Sequence, residues 1–179
     1  MLIAKVLCKV YITILFFSFL ICYNGIGDNM IEKVTTYSEK ETIEIAQNFE
    51  SEKFPNMIIC LDGDLGSGKT VFTKGFAHAL GIEENITSPT FNIIKEYTSG
   101  ELPLYHMDVY RLDGNTDGVG IEEYFKKDGV VIIEWADTIE DILPEERLDI
   151  KFKVIDENSR VLKFIPHGQK YEEICGAVL

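Results

Sequence analysis

Apolar positions along this chain come in short runs separated by polar punctuation. Met57-Ile58-Ile59-Cys60-Leu61 and Val130-Val131-Ile132-Ile133 are unbroken apolar stretches, the pattern of strands covered on both faces. Val34-Thr35-Thr36 is β-branched and predicts a short strand. Ser38-Glu39-Lys40-Glu41 reads as a capping box, with Ser38 at the N-cap and Glu41 three residues on. The helix it opens places Ile43, Ala46 and Phe49 near one face, and Pro55-Asn56 separates that helix from the apolar run at 57–61. A second helix is predicted from Lys69 to Leu80, ended by Gly81. Thr87-Ser88-Pro89-Thr90 predicts a loop. Phe91–Tyr97 and Leu104–Asp108 flank Ser99-Gly100 and predict a hairpin. A polar loop occupies 113–118, then a short helix spans Ile121–Lys127, closed by Gly129. Leu148–Val154 and Arg160–Ile165 predict a closing hairpin around Asp156-Glu157-Asn158. Alternating strands and helices imply an α/β layer architecture, with a mostly parallel centre, antiparallel additions and flanking helices.

The first residues break this pattern. From Val10 to Gly27 there are 18 consecutive uncharged residues, preceded by Lys5 and Lys9. Alone, the stretch reads as a signal-peptide core or a marginal membrane span, although Cys22-Tyr23-Asn24-Gly25 is a poor cleavage site. Two readings are open. Residues 1–29 are a genuine apolar anchor, or they are upstream sequence and the natural chain starts at Met30. The second is preferred, because residues 30–179 carry their own first strand and helix cap and read as one soluble domain.

Composition narrows the function. The 179 residues are 46% hydrophobic and 26% charged, an ordinary globular mix. The net charge is −13, from 17 basic and 30 acidic residues. Residues 1–29 hold two lysines and one aspartate, so the remaining 150 carry −14. Nucleic-acid binding by phosphate neutralisation runs on Lys and Arg and is disfavoured here. Cys8, Cys22, Cys60 and Cys175 form no Cys-x-x-Cys pair, which argues against a disulfide scaffold or a zinc site and favours a reducing compartment.

One segment carries specific chemistry. Gly63-Asp64-Leu65-Gly66-Ser67-Gly68-Lys69-Thr70 fits G-x-x-x-x-G-K-[ST] between a buried strand and a helix, the setting a phosphate-binding P-loop requires. Glycines let backbone N–H groups converge on phosphate oxygens without Cβ clashes, and the helix N-terminus adds its dipole. Gly63, Leu65, Gly66, Ser67, Gly68, Lys69, Thr70 and Val71 are the candidate nucleotide-binding stretch. Lys69 supplies charge to the β- and γ-phosphates, and the Thr70 hydroxyl is a ligand for Mg²⁺. The structural alternative is a glycine-rich turn with a surface lysine.

Such a site needs a carboxylate at a neighbouring strand end. Glu134 and Asp108 both qualify. Glu134, on the strand more buried by composition, is the candidate metal ligand, direct or through water. Asp108 then orients the attacking water or holds a metal-bound one. Thr90 is the candidate γ-phosphate switch, set against a plain Pro turn. His106 is read as out of phase with Asp108, packing or hydrogen-bonding and not performing acid–base chemistry. Trp135 is read as a core edge or a partner contact. Arg111 is expected to bridge a nearby acid, with a cis arginine finger as the alternative.

These segments together resemble a known family. The loop at 63–70, Ser88-Pro89-Thr90-Phe91, His106-Met107-Asp108-Val109-Tyr110-Arg111-Leu112 and Ile133-Glu134-Trp135-Ala136-Asp137 occur in an order and spacing similar to the TsaE (YjeE) family, over roughly residues 34–165. The resemblance implies a P-loop NTPase-like sheet and a weak, partner-stimulated Mg²⁺-dependent ATPase that binds ATP or ADP. It implies docking on TsaD–TsaB, which modifies adenosine 37 of tRNA to threonylcarbamoyladenosine, with tRNA met only indirectly. It implies a cytoplasmic location, from which the apolar N-terminus departs. By position it implies Lys69 and Thr70 at phosphate and Mg²⁺, Glu134 at the metal, Asp108 in hydrolysis and Thr90 as the switch. Glu39 and Thr42 fall where the family lines its adenine pocket. Two other readings compete: a small metabolite kinase, disfavoured because Arg occurs only at 111, 147 and 160, and a membrane-tethered nucleotide-binding module without turnover. A GTPase is disfavoured by the lack of an Asn-Lys-x-Asp segment.

Overall fold

The structure is a computed structural model that describes residues 31–179. The apolar segment at 1–29 lies outside the described residues. Seven strands form one sheet: β1 (Glu32–Thr36), β2 (Met57–Gly63), β3 (Ile94–Tyr97), β4 (Leu104–Asp108), β5 (Val130–Glu134), β6 (Arg147–Val154) and β7 (Arg160–His167). Their spatial order is β1-β7-β6-β2-β5-β4-β3. The four central strands, β6, β2, β5 and β4, run parallel, and β7, β1 and β3 add antiparallel edges. This is the predicted α/β arrangement.

Among the described residues four α-helices accompany the sheet: α1 (Glu39–Ser51), α2 (Lys69–Ala79), α3 (Ile121–Tyr124) and α4 (Gln169–Val178). Ser38 caps α1, its Oγ accepting from the Glu41 N–H at 3.2 Å. The return bond of the box lands one residue early, on the Tyr37 N–H at 2.8 Å. Gly81, at φ +88°, comes just after the end of α2 and supplies the left-handed residue that closes a helix. Among the described residues no helix is long and apolar enough to cross a membrane.

Side-chain alternation on the buried strands divides the core in two. Met57, Ile59 and Leu61 of β2 join Leu104, Val130 and Ile132 beneath α1 and α2. Ile58 and Cys60 join Tyr105, Met107, Val131 and Ile133 on the opposite face. A period of two therefore decides which acid at a strand tip meets α2. Phe49 stacks on Phe164, with ring centroids 5.1 Å apart, anchoring α1 to β7. Helices α1 and α2 touch at Gly75, where a Cβ would stand 2.9 Å from the Ile43 backbone. A helix-interior glycine costs about 1 kcal/mol against alanine, and here the close approach requires it.

Three elements differ from expectation. The strand expected from Phe91 begins at Ile94, because Ile93 sits at φ +64° and the N–H groups of Asn92 and Ile93 both turn back to the Pro89 carbonyl. The helix expected over Ile121–Lys127 is a single turn ending at Tyr124. Helix α4 is an addition to the expected elements; Tyr171, Ile174 and Cys175 bury one of its faces against the first core.

Candidate functional site: a nucleotide pocket at the glycine loop

Strand β2 ends in Gly63, at φ +139°, where a Cβ would fall 2.4 Å from the Phe152 carbonyl oxygen. Only glycine fits there. Gly66 and Gly68 also hold positive φ, +76° and +111°, and Gly68 is the N-cap of α2 without any side-chain cap. The first N–H groups of α2 are thus left for a ligand, at the positive end of its dipole. A cavity of about 330 Å³ opens over this loop. Its walls include Glu39, the 65–71 stretch, Thr90, Asp108 and Glu134. The sequence-derived candidates therefore converge, with two exceptions. Gly63 lies beneath the loop, and Thr42 is fully buried behind the wall, bonded at 3.1 Å to the Thr36 hydroxyl.

Lys69 is 4% exposed and folds across the loop, donating to the Gly63 carbonyl at 2.6 Å and the Asp64 carbonyl at 3.0 Å. Its Nζ lies 3.8 Å from the centre of the Trp135 ring. Burial lowers the Lys69 pKa, opposed by Glu134, Asp62 and Asp108. Trp135 packs at the edge of the second core, one of its two expected places, and does more. It lines the pocket, in a left-handed conformation (φ +66°) held by its N–H bond to the Leu61 carbonyl at 2.8 Å. A non-glycine residue in that region stores strain, and such residues gather at functional sites.

Two acid clusters stand beside the loop. Thr70 Oγ1 donates to Glu134, 2.8 Å from Oε1 and 3.1 Å from Oε2. His106 Nε2 lies 2.9 Å from Glu134 Oε1. This corrects the expected phase of His106. Residues 106 and 108 are two apart on β4, so they share a face, and His106 is a wholly buried partner of the metal-candidate acid. In the second cluster Thr90 Oγ1 donates to Asp108 Oδ2 at 2.5 Å, and Ser88 Oγ bonds the same oxygen. Asp108 Oδ1 accepts from the Tyr110 N–H at 3.2 Å. Burial does not rank the two acids, since each is 3% exposed. Contact with Thr70 does. Arg111 makes no salt bridge among the described residues; its guanidinium lies 4.3 Å over the Phe91 ring, which corrects the expected ion pair.

Sequence reasoning missed four pocket residues: Ser88, Tyr110, Trp135 and Arg160. Ser88 stands in the same loop as Thr90, which was the available signal. Nothing local marks Arg160, which opens β7 far along the chain.

The other face of β2 carries Asp62, whose Oδ1 accepts from the Asp137 N–H at 2.9 Å. Burial pushes the Asp62 carboxyl up to about 7; that hydrogen bond and Lys151 oppose the shift, and the Asp137 charge adds to it. The unfolded chain releases this proton near the ordinary value of 3.8, while the folded chain holds it to about 7. Between those values the folded state binds more protons, so stability falls as pH rises through the window. Asp62→Asn removes that penalty and keeps an acceptor for Asp137. Its melting temperature should gain on wild type between pH 5 and pH 8. A constant difference across that range would contradict the assignment.

Comparison with known proteins places this chain among named relatives. The family described as threonylcarbamoyl adenosine biosynthesis protein TsaE matches residues 36–162. A Bacillus subtilis protein named tRNA threonylcarbamoyladenosine biosynthesis protein TsaE is 48% identical over 143 residues, covering 80% of this chain and 90% of that protein. A protein of the same name from Treponema pallidum is 44% identical over 105 residues, covering 58% and 77%. The crystal structure of Bacillus subtilis YdiB superposes with a TM-score of 0.75 at 42% identity, covering 86% of this chain and 97% of that one. The matched residues 36–162 include the glycine loop and both strand-tip acids of this chain, and the chain belongs to the TsaE family.

Proposed function

We propose that this protein binds ATP and ADP with Mg²⁺ and is the ATP-hydrolysing component, weak alone and stimulated by TsaD and TsaB, of the machinery that makes threonylcarbamoyladenosine at tRNA position 37. The observation that carries it is the meeting of the Thr70 hydroxyl and the Glu134 carboxylate at the head of the glycine-loop helix. Both are hard oxygen donors. Mg²⁺ takes one or two protein oxygens and fills its octahedron with water and phosphate, so this sparse pair suits it. Among the described residues no group of three or more His, Cys, Asp or Glu side chains could cage a metal alone. Thr70 and Glu134 would hold the ion, which would supply positive charge against the charge that develops on transfer.

The chain's own residues divide the remaining work. Loop N–H groups and Lys69 cradle the β- and γ-phosphates, trading the Gly63 and Asp64 carbonyls for phosphate oxygens. His106 fixes the Glu134 carboxylate. Asp108, within reach of the Ser88 and Thr90 hydroxyls, orients the attacking water, and Thr90 reports whether a γ-phosphate is present. An acidic surface suits docking on a basic protein partner and does not suit direct tRNA binding.

Phosphate release should be slow with ATP alone and rise when TsaD and TsaB are added. Pull-down of those two proteins should differ between ATP and ADP. Transfer of phosphate to a small metabolite, independent of any partner, would make the protein a kinase instead. Tight binding without turnover under every condition would make it a nucleotide-binding module.

A further inference from the structure

Half of one sheet face is bare. Strand alternation turns Leu148, Ile150 and Phe152 of β6, and Leu162 and Phe164 of β7, into the first core, so the residues between them point to the other side. On that side the second core stops at β2: among the described residues it takes none from β6, β7 or β1. An antiparallel sheet can leave one face to water, and such faces are polar. This face carries charge of one sign. Pairing register sets Lys151 of β6 opposite Lys163 of β7, and Lys163 opposite Lys33 of β1. Three lysines thus stand in one row across three strands. Lys153, two residues beyond Lys151, shares the face and is exposed, as Lys33 is.

Like charges directly opposite in a sheet, about 5 Å apart at Cβ, repel. Asp137 relieves Lys151, with Nζ and Oδ2 3.0 Å apart. Lys33, Lys153 and Lys163 form no salt bridge among the described residues. A lysine on an edge strand guards against edge-to-edge pairing, which accounts for Lys33 on β1. It does not account for Lys163 and Lys151, on the interior strands β7 and β6. The row is also opposite in sign to its domain, which carries −14 over residues 30–179. Cations held in register on a sheet disfavour the free protein, and a bound anion relieves them.

The neighbours of the row select the anion. Val161 and Ile165 lie half-buried on either side of Lys163, on the same face. The turn between β6 and β7 adds Val154 and Ile155, 43% and 56% exposed. The bare face offers no Phe, Tyr or Trp on which a base could stack. A long phosphate backbone would also meet the acidic remainder of the domain. Carboxylates on a short segment, with apolar residues between them, match both the lysines and the valine and isoleucine.

We propose that the open face of β6, β7 and β1 docks an acidic segment of a partner protein, whose Asp or Glu carboxylates pair with Lys33, Lys153 and Lys163 while its apolar residues cover Val161 and Ile165. None of these five residues lines the nucleotide pocket, so the surface stands independently of the nucleotide reading.

The probe is a fluorescein-labelled peptide of about ten residues, Glu throughout with Leu at every third position. Its anisotropy should rise on titration with the wild-type protein at low salt, and the affinity should fall about ten-fold or more near 0.5 M NaCl, where such pairs are screened. Lys163→Glu should weaken the peptide about ten-fold or more, because it replaces an attraction by a repulsion. The same variant should melt above wild type at low salt, since it turns two like-charge contacts into opposite-charge ones. On ¹⁵N-labelled wild type, saturating peptide should shift amide signals of β6, β7 and β1. No binding by wild type overturns the proposal, as does equal binding by Lys163→Glu or a set of shifts lying on other elements. An oligouridylate of about ten nucleotides that binds this face more tightly than the peptide also overturns it. A Lys163→Glu protein that melts no higher than wild type removes the repulsion on which the proposal stands.

Discussion

Lys69→Ala should reduce ATP and ADP affinity by about a hundred-fold or more, with little change in melting temperature. Charge-assisted bonds contribute about 1.5–3 kcal/mol each, and a P-loop lysine makes more than one to the β- and γ-phosphates. The fold should tolerate the change. Without ligand, Lys69 gives the protein two bonds to loop carbonyls and a contact with Trp135. Those carbonyls lie beside the pocket, and removing a partly desolvated cation lifts part of its own burial penalty. Equilibrium dialysis with labelled nucleotide reads the affinity, and a circular dichroism melt reads the fold. Retained affinity would mean that the loop binds through its backbone alone.

The second large effect separates binding from chemistry. Asp108→Asn should lower ATP turnover about 10²- to 10⁴-fold while leaving ADP affinity within a few-fold of wild type. The carboxylate accepts from the Ser88 and Thr90 hydroxyls through one oxygen and from the Tyr110 N–H through the other. An amide keeps one acceptor oxygen but places an NH₂ where the other stood. It can keep both hydroxyls on that oxygen only by turning its NH₂ onto the Tyr110 N–H, and it cannot accept a proton from an attacking water. Glu134→Gln should behave differently. Glu134 touches Thr70 directly, so its loss should weaken the Mg²⁺ dependence of nucleotide binding as well as turnover. Single-turnover phosphate release and nucleotide titrations at several Mg²⁺ concentrations distinguish the two. Parallel losses of binding and turnover in Asp108→Asn would assign that residue to the binding machinery.

Much of this site is legible before the fold, because its chemistry is local. The glycine loop declares itself within eight residues, and its flanking strand and helix are marked by one apolar run and one terminal glycine. Glu134 and Asp108 stand out as acids ending apolar strands. Their division of labour is harder to read. Compositional burial favours Glu134, but both acids are equally buried, and the register beside Thr70 is what separates them. His106 differs from expectation by a single step of strand phase, since β4 places it with Asp108 on the α2 face. Arg111 resembles half of an ion pair because no sequence pattern reports a ring stacked across a turn.

Arg160 shows the limit most clearly. An arginine opening a hairpin strand resembles any solvated cation. It reaches Gly68 only because β6 pairs beside β2, far away along the chain, and β7 folds back beside β6 as a hairpin. The strand expected from Phe91 starts late for a local reason of its own, the left-handed turn at Ile93.

Every role assigned to these side chains depends on a nucleotide seated over the glycine loop. Calorimetric titration of the folded protein with ADP in the presence and absence of Mg²⁺ tests that most directly. The structure predicts saturable one-to-one binding that tightens with Mg²⁺ and is lost in Lys69→Ala. A flat titration from folded wild-type protein, with ADP and with ATP alike, would contradict it.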